Sequence, residues 1–182
     1  MQKNKPILLF LIKFTISYLI MVGLYLFYLN KTQEKELLFS CAPITTTVAN
    51  QTASMITFFG YRASVEQNNE ELSLKVIINN TYVSRVIEGC NSVSVIILFL
   101  AFIIAFSGSV KITIIYGVIG SVLIYLVNIF RIAILSIGIL EYPKQQEILH
   151  SLVFPAIIYG LVFLLWVIWI NKFSNYKKIR NA

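Results

Sequence analysis

The chain has 182 residues, of which 58% are hydrophobic and 13% are charged, and its net charge is +7. A soluble globular domain carries about 25% charged residues, so the composition excludes that class and indicates an integral membrane protein. The basic residues flank apolar segments and form no stripe with interleaved aromatic residues, which excludes nucleic-acid binding. Two cysteines and one histidine, in no metal-ligand spacing, predict neither a metal site nor another cofactor.

Four apolar segments are candidates for helices that cross a bilayer, which takes about 20 residues. The first, at about residues 6–29, is interrupted only by Lys13 and lacks a small-residue cleavage site, so it predicts a retained anchor rather than a signal peptide. The other three lie at about residues 92–110, 112–138 and 150–170. The sequence therefore predicts an all-α membrane protein with about four transmembrane helices, forming a single domain over residues 1–182.

The charged residues between these segments indicate the orientation. All eight acidic residues lie within residues 34–88 and 141–147, whereas both termini and the turn at Lys111 are purely basic. Because positive flanks face the cytoplasm, we expect both termini inside and residues 30–91 and 141–149 outside. The alternation of four helices across the membrane gives the same assignment.

The outer segment, residues 30–91, is too long to be a bare connector. A helix is predicted at Pro43–Phe59, with proline in its first turn and Gly60 just beyond its end. Apolar residues recur near helical spacing, which predicts an extracytoplasmic amphipathic helix that lies on the membrane surface or packs against the spans. On this prediction the polar residues Thr45, Gln51 and Ser54 fall on other faces.

A small β-hairpin is predicted after this helix. Two runs typical of strands, residues 72–78 and 81–87, flank Asn79-Asn80, which is a two-residue turn signal. Residues 61–65 could add a third strand. Since the second strand leads directly into Glu88-Gly89-Cys90, we expect the hairpin to hold Cys90 in place.

Three residues with reactive side chains fall at the predicted outer boundary of the membrane. Cys90 precedes the second span, and His150 opens the fourth. The third span starts inside at Ile112 and reaches the outer boundary near Arg131, at a rise of about 1.5 Å per residue through a core of about 30 Å. These residues suit acyl transfer, in which a thiolate attacks an amide carbonyl, an imidazole moves protons and a guanidinium stabilises negative charge.

Two polar residues lie near this set. Asn128 precedes Arg131 by three residues and shares its helical face, which predicts a polar cluster buried among the helices. Glu147 precedes His150 by three residues and could orient it, or could be a solvated loop residue.

Each reactive residue also has an ordinary interpretation. Cys90 could be a small apolar residue, or could form a disulfide with Cys41 on the outer side, where disulfides persist. Arg131 could reach the lipid headgroups, and His150 could be an interfacial residue. A non-catalytic assembly subunit clamped by a Cys41–Cys90 disulfide is therefore an alternative, although the clamp explains neither Arg131 nor His150. A channel or transporter is disfavoured because the polar residues gather at one face.

These residues carry a resemblance to the exosortase/archaeosortase family of membrane cysteine transpeptidases. The chain is similar to the family in the order of Glu88-Gly89-Cys90-Asn91-Ser92 at a span entrance, Asn128–Ala133 within a span, and His150 opening the last span. With about four spans, where many members have more, the chain resembles the short, F-type form of Bacteroidetes. It departs from the family at Ser92, where members often carry glycine.

The resemblance implies a function, with Cys90 as nucleophile, Arg131 as charge stabiliser and His150 as acid/base. Asn128 and Arg85 would be supporting residues. The implied substrates are exported proteins that carry a C-terminal sorting signal, made of a short motif, a transmembrane helix and a basic tail. The enzyme would lie in the bacterial inner membrane among its lipids, cleave near the motif and pass the new carboxyl end to a surface acceptor. The substrate helix is expected to pack near Gly117, Gly120 and Ser121.

Overall fold

The structure is a computed structural model that describes residues 5–33, 39–106, 108–145 and 154–173. The described chain is mostly helical with one small sheet, and it divides into two compact units. The first, here called the span unit, contains the described parts of Met1–Phe27, Val93–Ile124 and Tyr159–Ala182. The second, the mixed unit, contains those of Tyr28–Ser92 and Tyr125–Ile158.

Along the chain, the described elements follow in the order of two helices, three strands and three further helices. The helices are α1 (Lys5–Thr32), α2 (Pro43–Phe58), α3 (Val93–Ala105), α4 (Val110–Glu141) and α5 (Phe154–Ile168), and α5 continues as one π-helical turn, Trp169–Phe173. The strands are β1 (Ala63–Gln67), β2 (Ser73–Ile78) and β3 (Thr81–Ile87). Short 3-10 turns cover Glu88–Cys90 and Pro143–Gln145.

Three helical segments among the described residues are long and apolar enough to cross a membrane: Ile7–Thr32, Val110–Glu141 and Pro155–Phe173. The predicted second span differs, because α3 has only 13 residues. A helix of that length rises about 20 Å, which is less than the bilayer core of about 30 Å. The four predicted spans therefore correspond to three long helices and one short apolar helix.

The backbone before α3 explains where the helix begins. Ser92 adopts a left-handed conformation with φ +63°, so the helix cannot extend further towards the N-terminus. After the end of α3, Gly108 lies so close to Trp169 that a Cβ would approach the indole to 2.9 Å. An apolar run in the sequence gives no sign of the left-handed residue or of this close contact.

Aromatic side chains pack the span unit. The rings of Phe102 and Trp166 stack with centroids 4.2 Å apart, and those of Phe10 and Phe106 lie 4.3 Å apart. The Tyr116 hydroxyl of α4 donates a hydrogen bond to a carbonyl of α5 at 2.7 Å. These contacts join parts of α1, α3, α4 and α5 through large flat side chains, which bury much apolar area each.

Gly120 of α4 allows the close approach of α3. A Cβ at this position would lie 2.3 Å from Cζ of Phe99, which is itself fully buried. Phe99 of the chain's own α3 therefore occupies the space beside Gly120.

Replacing Gly120 with alanine is expected to destabilise the protein by about 1–3 kcal/mol, because the Phe99 ring must move to admit the methyl group. The matched control is Gly160→Ala in α5, where no atom lies within 4 Å of the added Cβ. That change should be neutral or slightly stabilising, since alanine favours a helix over glycine. Thermal unfolding in detergent checks both, and equal midpoints for the two variants would contradict the packing.

The sheet of the mixed unit is antiparallel in the order β1-β2-β3. Asn79 and Asn80 form the turn between β2 and β3 with φ of 51° and 63°, a conformation that asparagine tolerates better than most residues. Ser84 of β3 and Ser136 of α4 share a hydrogen bond of 2.7 Å between their hydroxyls. The sheet that leads to Cys90 is thus attached to the second half of α4.

Helix α2 packs on the sheet and on α4. Its buried residues contact a core formed with β2, β3 and α4, whose members include Val48, Ile56, Val76, Val86 and Ile132. The prediction that Thr45 lies off the packed face was wrong, because Thr45 is fully buried. Phe58, at the end of the helix, is 82% exposed. Small and β-branched side chains fit this contact, and the large aromatic residues remain outside it.

Candidate active site

Cys90 ends the 3-10 turn that follows β3. Its side chain is half-buried and packs against the core of the mixed unit. The preceding Gly89 is exposed, and a Cβ there would have no atom within 4 Å. Cys90 therefore sits on a turn that is supported by the core of the mixed unit and is exposed at Gly89.

Asn128 holds the backbone of this turn from α4. Its side-chain amide donates a hydrogen bond to the Cys90 carbonyl at 2.6 Å, and the residue is only 2% exposed. A buried carbonyl without such a donor would be unfavourable by about 1–3 kcal/mol. The polar residue that stood out in the apolar helix thus fixes Cys90 to α4.

A second set of contacts fixes the turn from α2. The Glu88 carboxylate accepts hydrogen bonds from the Ala42 backbone N–H at 2.7 Å and from the Thr45 hydroxyl. The Asn91 amide donates to the Thr45 hydroxyl at 2.9 Å, and both residues are fully buried. Sequence reasoning missed Glu88, Thr45 and Asn91 as contributors, although Glu88 and Asn91 lie within the motif around Cys90.

Ser92 follows the turn in a left-handed conformation, with φ +63° and only 2% exposure. This region is unfavourable by roughly 1–2 kcal/mol for residues other than glycine. The departure from the family pattern at this position therefore has a physical meaning, because glycine adopts the required backbone conformation freely.

Replacing Ser92 with glycine is expected to leave the protein at least as stable as the original, because the left-handed backbone loses its steric cost. Ser92→Val should lower the free energy of unfolding by more than about 1 kcal/mol, since a β-branched residue strongly disfavours this region. Thermal unfolding compares the two variants. A valine variant as stable as the glycine variant would contradict the backbone conformation.

The two predicted arginines differ in their surroundings. Arg131 lies one turn after Asn128 on α4, is partly buried, and has a buried Nε atom. Arg85 of β3 is 56% exposed and forms an ion pair with Glu71, with two N–O distances of 2.7 and 2.8 Å. Hydrogen bonding to Glu71 raises the pKa of Arg85, and a smaller contribution to the raised pKa comes from Cys90. The charge of Arg85 is therefore largely satisfied by Glu71.

Two of the predicted site residues, Glu147 and His150, lie outside the described residues. The structure thus brings Asn128 into contact with Cys90. Arg131 lies on α4 one helical turn after Asn128. The role of His150 as acid/base stays a prediction.

The two cysteines are both free thiols, so the structure does not contain the disulfide that the assembly-subunit alternative predicted. Cys41 is 4% exposed, and burial raises the pKa of its thiol, with a further contribution from the Glu88 carboxylate. Because a raised pKa keeps a thiol protonated at neutral pH, Cys41 is poorly suited to act as a nucleophile. In the part of the chain that the structure describes, no group of three His, Cys, Asp or Glu residues could hold a metal ion.

Apolar helices of membrane-crossing length and a half-buried free thiol beside a polar helix turn define a membrane protein with a candidate cysteine site. A family model described as transmembrane exosortase (Exosortase_EpsH) matches residues 7–171, and the chain belongs to this family. No curated protein and no solved structure matches the chain. Membership of the family suggests a membrane sorting transpeptidase of the cysteine-peptidase type.

Proposed function

We propose that the chain is a membrane-embedded cysteine transpeptidase that cleaves the C-terminal sorting signal of exported proteins and transfers the new carboxyl end to a surface acceptor. The observation that carries this proposal is the free, half-buried thiol of Cys90, whose carbonyl is held by Asn128 one helical turn before Arg131. The family match over residues 7–171 supports the same reaction class.

The reaction proceeds in two steps. In the first, the Cys90 thiolate attacks the scissile carbonyl carbon, the C–N bond breaks, and His150 gives a proton to the departing amine. This leaves the N-terminal part of the substrate as a thioester on Cys90. In the second, His150 removes a proton from the acceptor, which attacks the thioester and restores the thiolate. Arg131 stabilises the oxyanion of each tetrahedral intermediate.

The charge pattern supports an active site on the extracytoplasmic side of the inner membrane. Described basic residues that flank the spans include Lys111 and Lys172, and positive flanks face the cytoplasm. From Val110 to Arg131, α4 rises about 32 Å, which crosses the bilayer core. We therefore place both termini in the cytoplasm and the Cys90 turn at the outer interface, among membrane lipids.

The partners follow from this placement. The substrate is an exported protein whose C-terminal transmembrane helix brings the motif before it to the depth of Cys90. The acceptor is a nucleophilic group at the cell surface, on a polysaccharide or a lipid. Nucleic acid has no place in this reaction.

The test compares the host with a strain that lacks the protein. The proteins analysed are exported proteins that end in a short motif, a transmembrane helix and a basic tail. With the protein present, mass spectrometry of their C-termini should show loss of the tail and a mass added by the acceptor. Without the protein, the full C-terminus should remain. Unchanged C-termini in the two strains would refute the proposal, and cleavage with no added mass would reduce it to a protease.

Replacing Arg131 with glutamine is expected to lower kcat by about 10²–10³-fold, the usual effect of losing one charge stabiliser at an oxyanion. Arg85→Gln is the matched control, because Arg85 is exposed and paired with Glu71. Its effect on kcat should be at most a few-fold. The processing rate of a reporter built from a natural substrate measures kcat for both variants. A larger loss for Arg85→Gln than for Arg131→Gln would contradict the assignment of Arg131 as the charge stabiliser.

A further inference from the structure

Helix α2 begins without a capping side chain of its own. Pro43 is at its first position, the preceding Ala42 offers no side-chain hydrogen bond, and its first turn contains no acidic residue. The first backbone N–H groups of a helix have no partner within the helix, and they favour a nearby negative charge. Glu88 supplies that charge from 46 residues further along the chain, accepting from the Ala42 N–H at 2.7 Å.

The same carboxylate belongs to the turn that carries the nucleophile. Glu88 and Cys90 are the first and last residues of one 3-10 turn. The Asn91 amide, next along the chain, lies 3.5 Å from Glu88 Oε2 and 2.9 Å from the Thr45 hydroxyl, which donates to Glu88. The turn is therefore held on one side by α2, through Glu88 and Asn91, and on the other by α4, through Asn128.

We propose that Glu88 is a positioning residue for Cys90, which fixes the thiol by binding the nucleophile turn to the N-terminus of α2. This inference rests on the proposed function, because it concerns the geometry of the same attack. Glu88 acts through the position of the turn and does not touch the reacting atoms. Loss of Glu88 is expected to slow catalysis, because a displacement of the reacting Cys90 sulfur by about 1 Å can reduce the rate by about 100-fold.

Hydrogen bonds in which one partner is charged, such as those to the Glu88 carboxylate, are stronger than hydrogen bonds between neutral groups. The Thr45 hydroxyl and the Asn91 amide are both fully buried, so neither can replace a lost partner with bulk water. Removal of the carboxylate therefore takes one acceptor from three groups: the Ala42 N–H, the Thr45 hydroxyl and the Asn91 amide, which keeps its hydrogen bond to the Thr45 hydroxyl.

The test compares Glu88→Ala, Glu88→Gln and the control Glu66→Gln, whose side chain is exposed on β1. We expect Glu88→Ala to lower kcat by at least tenfold with KM changed less than threefold, and Glu88→Gln to recover part of that loss, since its amide oxygen can still accept one bond. The control should process the reporter at the original rate. Thr45→Val, which removes only the hydroxyl, should show the same pattern as Glu88→Gln.

Alkylation of the two thiols separates positioning from loss of folding. Each variant is treated with iodoacetamide, and modification of Cys90 and Cys41 is followed by mass spectrometry. We expect the Cys90 rate to change by more than threefold in Glu88→Ala while the buried Cys41 stays protected. If Cys41 reacts as fast as Cys90, the turn has only a structural role and the proposal fails. Unchanged kcat in a folded variant also overturns it.

Failure of the proposed function gives a different result. In that case the original protein processes no reporter, and the kcat comparison is replaced by the alkylation rates, which need no substrate. A change in the Cys90 rate with Cys41 protected then still supports the positioning of the turn. Equal Cys90 rates in Glu88→Ala and the original protein overturn it.

Discussion

Replacing Cys90 with alanine is expected to abolish processing of exported substrates, with a loss in kcat on the order of 10³-fold or more. The physical reason is that no other group can form the thioester: among the described residues the second thiol, Cys41, is buried and has a raised pKa. Cys90→Ser should be almost as inactive, since a hydroxyl at this turn is a far weaker nucleophile than a thiolate. The C-terminal mass of a substrate reporter measures the loss.

The matched control for this experiment is Cys41→Ala. Cys41 is only 4% exposed and contributes to the core of the mixed unit, so its replacement should cost some stability but leave processing intact. If Cys41→Ala abolished processing in a folded protein, or if Cys90→Ala processed normally, the assignment of the nucleophile would be wrong.

Replacing Asn128 with aspartate is expected to lower the free energy of unfolding by about 2–3 kcal/mol and to reduce processing by roughly 10- to 100-fold. The side chain is buried and donates to the Cys90 carbonyl at 2.6 Å, whereas a carboxylate there can only accept. Two oxygens would then face each other in a site that excludes water. Thermal unfolding and the processing rate of the reporter measure the two effects.

The pH dependence of the Asn128→Asp variant gives a further check. At low pH the introduced carboxyl takes up a proton, and the protonated carboxyl can donate to the Cys90 carbonyl. The deficit in stability should therefore shrink as the pH falls. Asn50→Asp, at an exposed position of α2, serves as the control and should show neither the deficit nor its recovery. A deficit that grows at low pH would contradict the hydrogen bond.

The membrane-crossing helices and the burial of Asn128 were predictable from the sequence. Apolar runs of the required length mark α1, α4 and α5, and a single amide in the apolar run of α4 is unfavourable unless it has a partner. The start of α3 was not predictable, because Ser92 ends the helical geometry on the N-terminal side through its left-handed backbone conformation. Hydropathy does not record backbone conformation.

The contacts around Glu88 could not be predicted because they join distant parts of the chain. Thr45 and Glu88 are 43 residues apart, and helical spacing alone predicts that Thr45 lies off the apolar face of α2. Its burial becomes intelligible only when α2 is docked on the sheet, where a threonine can satisfy a carboxylate. Sequence periodicity identifies an apolar face, but it does not reveal a buried polar pair between two elements.

The most direct test of the central claim is the capture of the substrate fragment on Cys90. A reaction of the protein with a substrate reporter is quenched in acid, and the peptide containing Cys90 is analysed by mass spectrometry. We expect the mass of the N-terminal substrate fragment on Cys90, released by hydroxylamine as a thioester should be, and no adduct on Cys41. Processing with no adduct on Cys90, or with the fragment attached to another residue, would contradict it.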